Sequence, residues 1–467
     1  MMRRTLALLS SNTCALAEAT GAKLVGGPGQ DRIVVLGTGW GSFTLARQLK
    51  NAPAVKKFRV VSPSNHFVFT PLLPSTAVGT LEFRCIQEPI RKVLGDNGKF
   101  VQAKAQQIDP MEKAILFEST YNDETGYPER FVMKYDKLVI GVGVKTNTFG
   151  IESIKEGDGV HFLKHLYHAR NIRNNIIESF EKAAIPGTLP EERQRLLSFI
   201  IVGGGPTSCE FAAELHDFVT QDAQRLYKHL VPYVKVTMVE AGPALLGPFD
   251  VQLQNYTKGL FEKRNINVRL ATAVIGIEDY TVDGFRFPAR RAQLSDGTSL
   301  PFGTLVWSAG LSPVNFTANC TALPKSPNGR ILVDDYLRVK GFEGSIWALG
   351  DAAVCETNPL PQLAQVARQQ GLYLGEVLTG KKKQDETPFT FFSLGSMASL
   401  GEMKGVYDGT NVGKKGSPVQ VGRMTGFLAL LLWRFAYWGR QTSVENKMAI
   451  PFHWMKSFFF GRDISKF

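Results

Sequence analysis

The feature that most constrains this chain is a unit that occurs twice: a short apolar strand, a glycine turn and a helix. The first copy reads Arg32-Ile33-Val34-Val35-Leu36-Gly37-Thr38-Gly39-Trp40-Gly41-Ser42, with Leu45, Ala46 and Leu49 following at helical spacing. An apolar, partly β-branched run of this length is a buried strand. Gly37 permits the tight turn. Gly39 lets backbone approach a pyrophosphate seated on the helix N-terminus, where free N–H groups and the helix dipole favour an anion. The second copy is Ser198–Val202, then Gly203-Gly204-Gly205-Pro206-Thr207-Ser208, then Phe211, Ala212, Leu215 and Phe218 on one helical face. In both, the third position of the fingerprint is Ser (Ser42, Ser208), where Gly or Ala is usual. Serine is small enough to keep the helix close to its strand. One such loop is a weak signal. Two predict an α/β chain with two Rossmann-type dinucleotide-binding domains.

The two units differ at the end of their next strand, where the adenosine ribose is met. After Phe58-Arg59-Val60-Val61 stand Ser62 and Pro63. After Val234–Val239 stands Glu240. Glu240 suits a ribose 2′-hydroxyl and would repel a 2′-phosphate, so the second site is expected to prefer NADH over NADPH. The gap from Gly203 to Glu240 exceeds the usual ~20 residues, which predicts a longer crossover helix reaching about Leu230. Ser62 offers a weaker ribose contact.

Elsewhere the chain carries smaller signals. Phe67–Ser75 holds two prolines and reads as a rigid apolar loop. Residues 111–131 read as a hairpin or loop, and Lys137–Val144 as a buried strand with Gly143 in its closing turn. Thr304–Ser308 is a strand running into Ala309-Gly310. Ser345–Leu349 is a strand ending at Gly350-Asp351, where a strand–helix junction would set a carboxylate beside a polar ligand chain. In Pro361–Gly371, Gln365 and Gln369 are four apart and share a helix face.

With 467 residues the chain has room for two or three domains. Its net charge of +12 would suit nucleic acid, an anionic membrane or acidic ligands. No Lys/Arg stripe interleaved with aromatics and no nucleic-acid motif is present, so nucleic acid is not expected. Five scattered cysteines contain no C-x-x-C pair, which argues against a redox dithiol or a zinc knuckle. No Ser/His/Asp set, metal cluster or EF-hand loop is found. The first residues carry Arg and Ser and no acid before Glu18, a composition typical of a mitochondrial import segment, here placed at 1–28.

The tail differs from the rest. Residues 387–467 hold ten Lys or Arg against four Asp or Glu, about half the net charge, and three of the six tryptophans. Thr425–Trp438 is apolar nearly all round but shorter than the ~20 residues a bilayer span needs, and Arg434 interrupts it. Phe452–Phe460 is a second such run. Aromatic, basic and too short to span describes helices that lie on an anionic membrane surface.

These motifs, in this order, resemble the type II (alternative, non-proton-pumping) NADH:quinone oxidoreductases. The likeness is carried by GTGWGS at 37–42, SPSNHFVFTPLLPS at 62–75, GGGPTSCEFAAEL at 203–215, the strand end VE at 239–240, WSAG at 307–310, GDAA at 350–353, AQVARQQG at 364–371, and WRFAYW and FGRDISKF in the tail. The resemblance implies a single-chain flavoprotein, rotenone-insensitive, bound peripherally to the mitochondrial inner membrane as a homodimer. Its cofactor would be FAD (Ser62 leaves FMN open), its donor NADH and its acceptor a ubiquinone-type membrane quinone. The nicotinamide-binding domain (156–311) would be inserted between two parts of the FAD domain (31–155 and 312–385), followed by membrane-docking helices in 386–467.

Carried over by position, Gly37, Gly39, Trp40, Gly41, Ser42, Ser62, Pro63, Thr70, Pro71, Gly143 and Asp351 would hold the flavin nucleotide. Gly203, Gly205, Pro206, Thr207, Ser208, Glu240, Ala309 and Gly310 would hold NADH. Ala364, Gln365 and Gln369 would lie between flavin ring and quinone. Glu210 would supply or relay a proton, and with Gln365 and Gln369 makes up the catalytic set. Three other readings compete. A disulfide reductase needs a cysteine pair in the flavin domain. A sulfide:quinone oxidoreductase needs cysteines near the flavin, with Cys355 the one starting point, and leaves the second loop unexplained. A membrane-attached NADH-binding module would keep the flavin without turning over quinone.

Overall fold

The computed structural model describes residues 14–25, 32–414, 417–419 and 421–466. They divide into two compact units. One comprises the described residues up to Phe67 with Glu88–Lys145 and Ser312–Phe391. The other comprises Val68–Gln87, Thr146–Leu311 and the residues from Phe392 onward.

The first unit is built on an eight-stranded sheet. Its parallel core runs, in spatial order, Gly98–Asp109, Lys57–Ser62, Arg32–Leu36, Lys137–Ile140 and Ile346–Ala348. Ile33 to Leu36 are all buried, as a parallel strand covered on both faces requires. Chain order reverses across Arg32–Leu36, so the switch point at which open α/β sheets bind ligands lies at Gly37. Helix Trp40–Leu49 packs on helix Ala364–Leu378 at very short range: a Cβ on Gly371 would lie 2.4 Å from the Gly41 carbonyl oxygen. Of the two forms open to 111–131, hairpin or loop, the chain takes the hairpin, Ala114–Asn122 and Pro128–Lys134.

One expectation for this unit is corrected, and one segment is placed in part. Residues 1–13 of the expected import segment lie outside the described residues, but Cys14–Val25 belongs to the fold. Its helix Ala15–Thr20 buries Cys14, Leu16 and Ala17 against Ala114, Leu116 and Val132, and strand Lys23–Val25 pairs in parallel with Phe131–Met133. A removable segment reaching residue 28 would strip an edge strand and its apolar cover from the sheet. At Gly350-Asp351 no long helix begins. A single 3-10 turn, Gly350–Ala352, leads into strand Ala353–Cys355, and the helix starts at Ala364.

The second unit holds a five-stranded parallel sheet in the order Val160–Phe162, Thr304–Trp307, Ser198–Val202, Lys235–Val239, Asn267–Arg269. Its switch point falls at Gly203, and a three-stranded antiparallel sheet (Val274–Tyr280, Ala289–Leu294, Ser299–Phe302) follows. The long crossover is helix Pro206–Phe218, a π turn at Val219–Ala223 and a last helical turn at Gln224–Leu226. In the same unit, Thr70–Leu72 and Leu73–Thr76 are short helical turns, not the loop expected there. Pro71 and Pro74 each occupy a first-turn position, where a missing N–H costs nothing. Strands Ser396–Ser399, Gly405–Asp408 and Arg423–Gly426 form an antiparallel sheet that leads into helices Phe427–Gly439 and Val444–Phe460. Among the described residues no helix is long and apolar enough to cross a membrane.

Candidate active site

In the first unit the carboxyl ends of the strands gather the Gly37 loop, the turn at residues 141–143, the turn Gly350–Ala352 and the start of helix Ala364–Leu378. Gly37 has φ +96°, and a Cβ there would lie 2.4 Å from the Gly141 carbonyl oxygen. Gly39 precedes helix Trp40–Leu49, has open space where a Cβ would sit, and leaves the helix start without a side-chain cap. An open approach onto uncapped N–H groups fits a dinucleotide pyrophosphate. Trp40 packs edge-on against Phe67, ring centres 4.9 Å apart. Gly143, at φ +68°, likewise has no atom within 4 Å of a would-be Cβ. Gln370, which sequence reasoning missed, is buried and accepts the Gly350 N–H at 2.7 Å, setting the turn that presents Asp351. Gln365 and Gln369 are half-buried, one turn apart, beyond Ala364.

Three expected contacts turn inward instead. A Cβ on Gly41 would meet the Leu349 side chain at 2.2 Å, so this glycine serves close helix packing. Ser42 is fully buried and donates to the Leu36 carbonyl at 3.0 Å. Ser62 is 4 % exposed, and its hydroxyl meets Thr38 Oγ1 and the Ser64 N–H, both at 3.2 Å. That hydroxyl is engaged within the turn. Thr70 and Pro71 fall in the second unit, as an exposed and a half-buried residue of the turn Thr70–Leu72.

The second loop repeats the arrangement. Gly203 has φ +114°, Gly205 is open where a Cβ would sit, and helix Pro206–Phe218 also starts without a side-chain cap, with Pro206 exposed at its first turn and Thr207 half-buried. Ser208 is buried and shares a 2.7 Å hydrogen bond with Ser308. Glu240 accepts the N–H of Gly204 and, at 2.5 Å, that of Gly242. Its carboxylate therefore braces the glycine loop from the strand end. Ala309 and Gly310 close the neighbouring strand, with Gly310 at φ +71°, and the Ala309 N lies 3.3 Å from a would-be Gly203 Cβ.

Glu210 sits one turn into that helix and points away from the glycine loop. It is 6 % exposed, and its Oε1 accepts the Trp433 indole N–H at 2.8 Å and the Ser399 N–H at 3.1 Å. Burial, above all, pushes its carboxyl up to about 8. The two donors oppose that shift, and the nearby Glu214 charge adds to it. Glu214, one turn on, accepts Ser75 Oγ at 2.7 Å and Thr80 Oγ1 at 2.6 Å and lies 3.5 Å from the buried Arg462 guanidinium. Trp433 and Arg462 lie in the tail motifs WRFAYW and FGRDISKF, but their pairing with Glu210 and Glu214 was not legible, because these partners lie more than 200 residues away.

Comparison with known proteins gives the family of this fold. The pyridine nucleotide-disulphide oxidoreductase family matches residues 31–371, and the NDH2 C-terminal domain matches residues 393–463. The chain is 40 % identical over 444 residues to "Probable NADH dehydrogenase" of Dictyostelium discoideum, covering 94 % of this chain and 91 % of that one. It is 34 % identical to "External NADH-ubiquinone oxidoreductase 2, mitochondrial" of Saccharomyces cerevisiae, covering 93 % and 82 %. The solved structure of NDH2 from Plasmodium falciparum in complex with NADH superposes with a TM-score of 0.82 at 25 % identity, covering 94 % of this chain and all of that one. Fold and paired glycine turns thus define a member of the pyridine nucleotide-disulphide oxidoreductase family. Within it, the chain belongs to the type II NADH:quinone oxidoreductases.

Proposed function

We propose that this chain oxidises NADH and reduces a ubiquinone-type quinone at the surface of the mitochondrial inner membrane, through bound FAD and without pumping protons. The observation that carries the reading is the pair of open, uncapped glycine turns, each at the carboxyl edge of its own parallel sheet. FAD, when bound, supplies the acceptor for the hydride of NADH and the donor of two electrons to quinone. The net reaction, NADH + H⁺ + Q → NAD⁺ + QH₂, takes up one proton.

The first loop, with Gly37, Gly39, Gly143 and Asp351, would hold the flavin nucleotide, and residues 31–155 and 312–385 would form its domain. Thr70 and Pro71 complete that set by resemblance. Gly203, Gly205, Thr207 and Glu240 would hold NADH in 156–311. The Glu240 carboxylate, fixed by two backbone N–H groups, would take a ribose hydroxyl and exclude a 2′-phosphate. Glu210 would hold the proton destined for quinone, with Ala364, Gln365 and Gln369 lining the quinone side of the flavin.

Helices Phe427–Gly439 and Val444–Phe460 support membrane docking. Leu428, Phe435, Met448, Phe452 and Phe458 are all more than half exposed, far more apolar surface than scattered single residues give. Lys456, exposed on the second helix, suits anionic headgroups. Self-association as a homodimer is carried over from the family resemblance. It predicts twice the 51.6 kDa chain mass by sedimentation in detergent.

An anaerobic titration of purified, flavin-loaded protein tests the reaction. NADH, and not NADPH, should bleach the visible flavin absorbance, and a short-chain quinone should restore it. Bleaching without recovery would reject the quinone, and no bleaching would reject the activity.

A further inference from the structure

Glu210 lies at a junction that the proposed reaction does not by itself require. Its Oε1 takes a side-chain N–H from helix Phe427–Gly439, the Trp433 indole, and a main-chain N–H from Ser399 at the end of strand Ser396–Ser399. Trp433 is 3 % exposed and seated edge-on against Tyr437, ring centres 4.9 Å apart, with Trp454 of the last helix at 6.3 Å. The same helix turns Leu428 and Phe435 outward, 65 % and 64 % exposed. One face of a single helix therefore meets the acid while the other is free for a lipid surface.

We propose that Trp433 is a positioning residue for the Glu210 proton: its indole N–H holds the ionised carboxylate, so that the acid can release a proton toward quinone and be reloaded without leaving its place. The inference rests on the proton-carrying role proposed above for Glu210. An indole N–H can donate but never accept, so it favours the ionised carboxylate over the neutral acid and opposes the burial that favours the acid. The charged and titratable groups facing Glu210 do not replace it. On its own helix, Cys209 is fully buried with its thiol pushed up, and Glu214 adds negative charge. On the docking helix, Tyr437 is pushed up by burial and by Glu210 itself, and Arg434 is coupled to Glu214. Arg462 is likewise committed to Glu214 and Asp222. Among the described residues, the dedicated donors are one backbone amide and one indole.

Trp433→Phe keeps the ring and removes the N–H. In steady-state quinone reduction by the flavin-loaded, membrane-bound enzyme, the fall in rate on the alkaline side should move upward by about half to one pH unit. Bleaching by NADH alone should be unchanged. Glu210→Gln should abolish that alkaline fall, and Trp433→Phe should then have no further effect on it. An unmoved fall in Trp433→Phe, with loss of the fall in Glu210→Gln, overturns the role of Trp433 and leaves that of Glu210. A fall that survives in Glu210→Gln overturns the Glu210 reading itself. Should Trp433→Phe not fold, ¹⁵N-indole spectra of the wild-type protein decide. One of the six tryptophan N–H signals should titrate with the midpoint of the rate profile and stop titrating in Glu210→Gln. If none does, the proposal fails.

Discussion

The two glycine turns share a plan and differ in chemistry. In each, the residue between the first two glycines is tied to the residue ending the next strand. In the first, Thr38 meets Ser62 through hydroxyls at 3.2 Å. In the second, the backbone N–H of Gly204 meets the Glu240 carboxylate, and Gly204 must lack a Cβ because one would lie 2.8 Å from Glu240 Cγ. The first turn is closed by neutral, buried groups. The second ends in a carboxylate held by two backbone N–H groups. The helices after them also diverge: two positions beyond each fingerprint serine stands Thr44, bonded back to the Trp40 carbonyl at 2.7 Å, or Glu210, bonded to Trp433. A shared backbone solution thus carries two different electrostatic environments.

The largest expected effect separates the turns by sterics. Gly37→Ala would set a Cβ 2.4 Å from a main-chain oxygen at φ +96° and should cost on the order of 3 kcal/mol or more, with loss of bound flavin. Gly203→Ala, whose nearest atom is Ser208 Oγ at 2.9 Å, should cost about 2 kcal/mol and retain flavin. Thermal melts and the flavin-to-protein absorbance ratio measure both. Equal losses would break the comparison.

Glu210 sets the second helix apart next. Folded, its carboxyl holds a proton up to about pH 8, while the ordinary value is 4.5. Between those values the folded chain binds more protons than the unfolded one, so this residue's contribution to stability falls as pH rises through the window, by up to about 1.4 kcal/mol per pH unit. Glu210→Gln should remove that slope. Its melting temperature should match wild type near pH 4 and exceed it at pH 8 and above, and parallel melting curves across this range would refute the burial argument.

The strand-end residues come third. Glu240→Ala removes a carboxylate that orders Gly204 and Gly242 and, on the proposed reading, would take a ribose hydroxyl; it should raise the NADH KM by about 10- to 100-fold, the ~1.5–3 kcal/mol of a charged hydrogen bond. It should also narrow discrimination against NADPH while flavin content holds. Ser62→Ala, by contrast, removes a hydroxyl already spent on Thr38 and should leave both flavin content and KM within about twofold.

How much of this was legible in the sequence follows from the range of the interactions. The strands, turns and helix starts around Gly37 and Gly203 rest on residues within ten positions of each other, and they stand where the pattern put them. The burial of Ser62 was not legible because it depends on Thr38 and Ser64 folding over it. The turns at Thr70–Thr76 were misread because two prolines mark a short helical start as well as a loop. The edge strand Lys23–Val25 was hidden by a leader-like composition, since its partner strand lies about a hundred residues on. The tail motifs holding Trp433 and Arg462 were legible, but their pairing with Glu210 and Glu214 leaves no local trace.

The smallest effect concerns the two serines in the fingerprint's third position. Ser42→Ala should cost less than about 1 kcal/mol, since the Leu36 carbonyl keeps the Gly141 N–H at 3.0 Å. Ser208→Ala should be as mild, because Ser308 still reaches the Val202 carbonyl at 3.4 Å. If so, these positions select for size and not for a hydroxyl. In the first turn that idea has a sharper test. A Cβ on Gly141 would lie 2.2 Å from Ser42 Oγ and 3.0 Å from Leu349 Cδ1, so the serine is admitted because its neighbour is glycine. Gly141→Ala should be strongly destabilising, and adding Ser42→Gly should recover much of the loss, the remainder belonging to Leu349 and to the entropy of a helical glycine, about 1 kcal/mol. Strict additivity of the two changes would show that the serine and the glycine are independent, and that something other than space set the departure from the fingerprint.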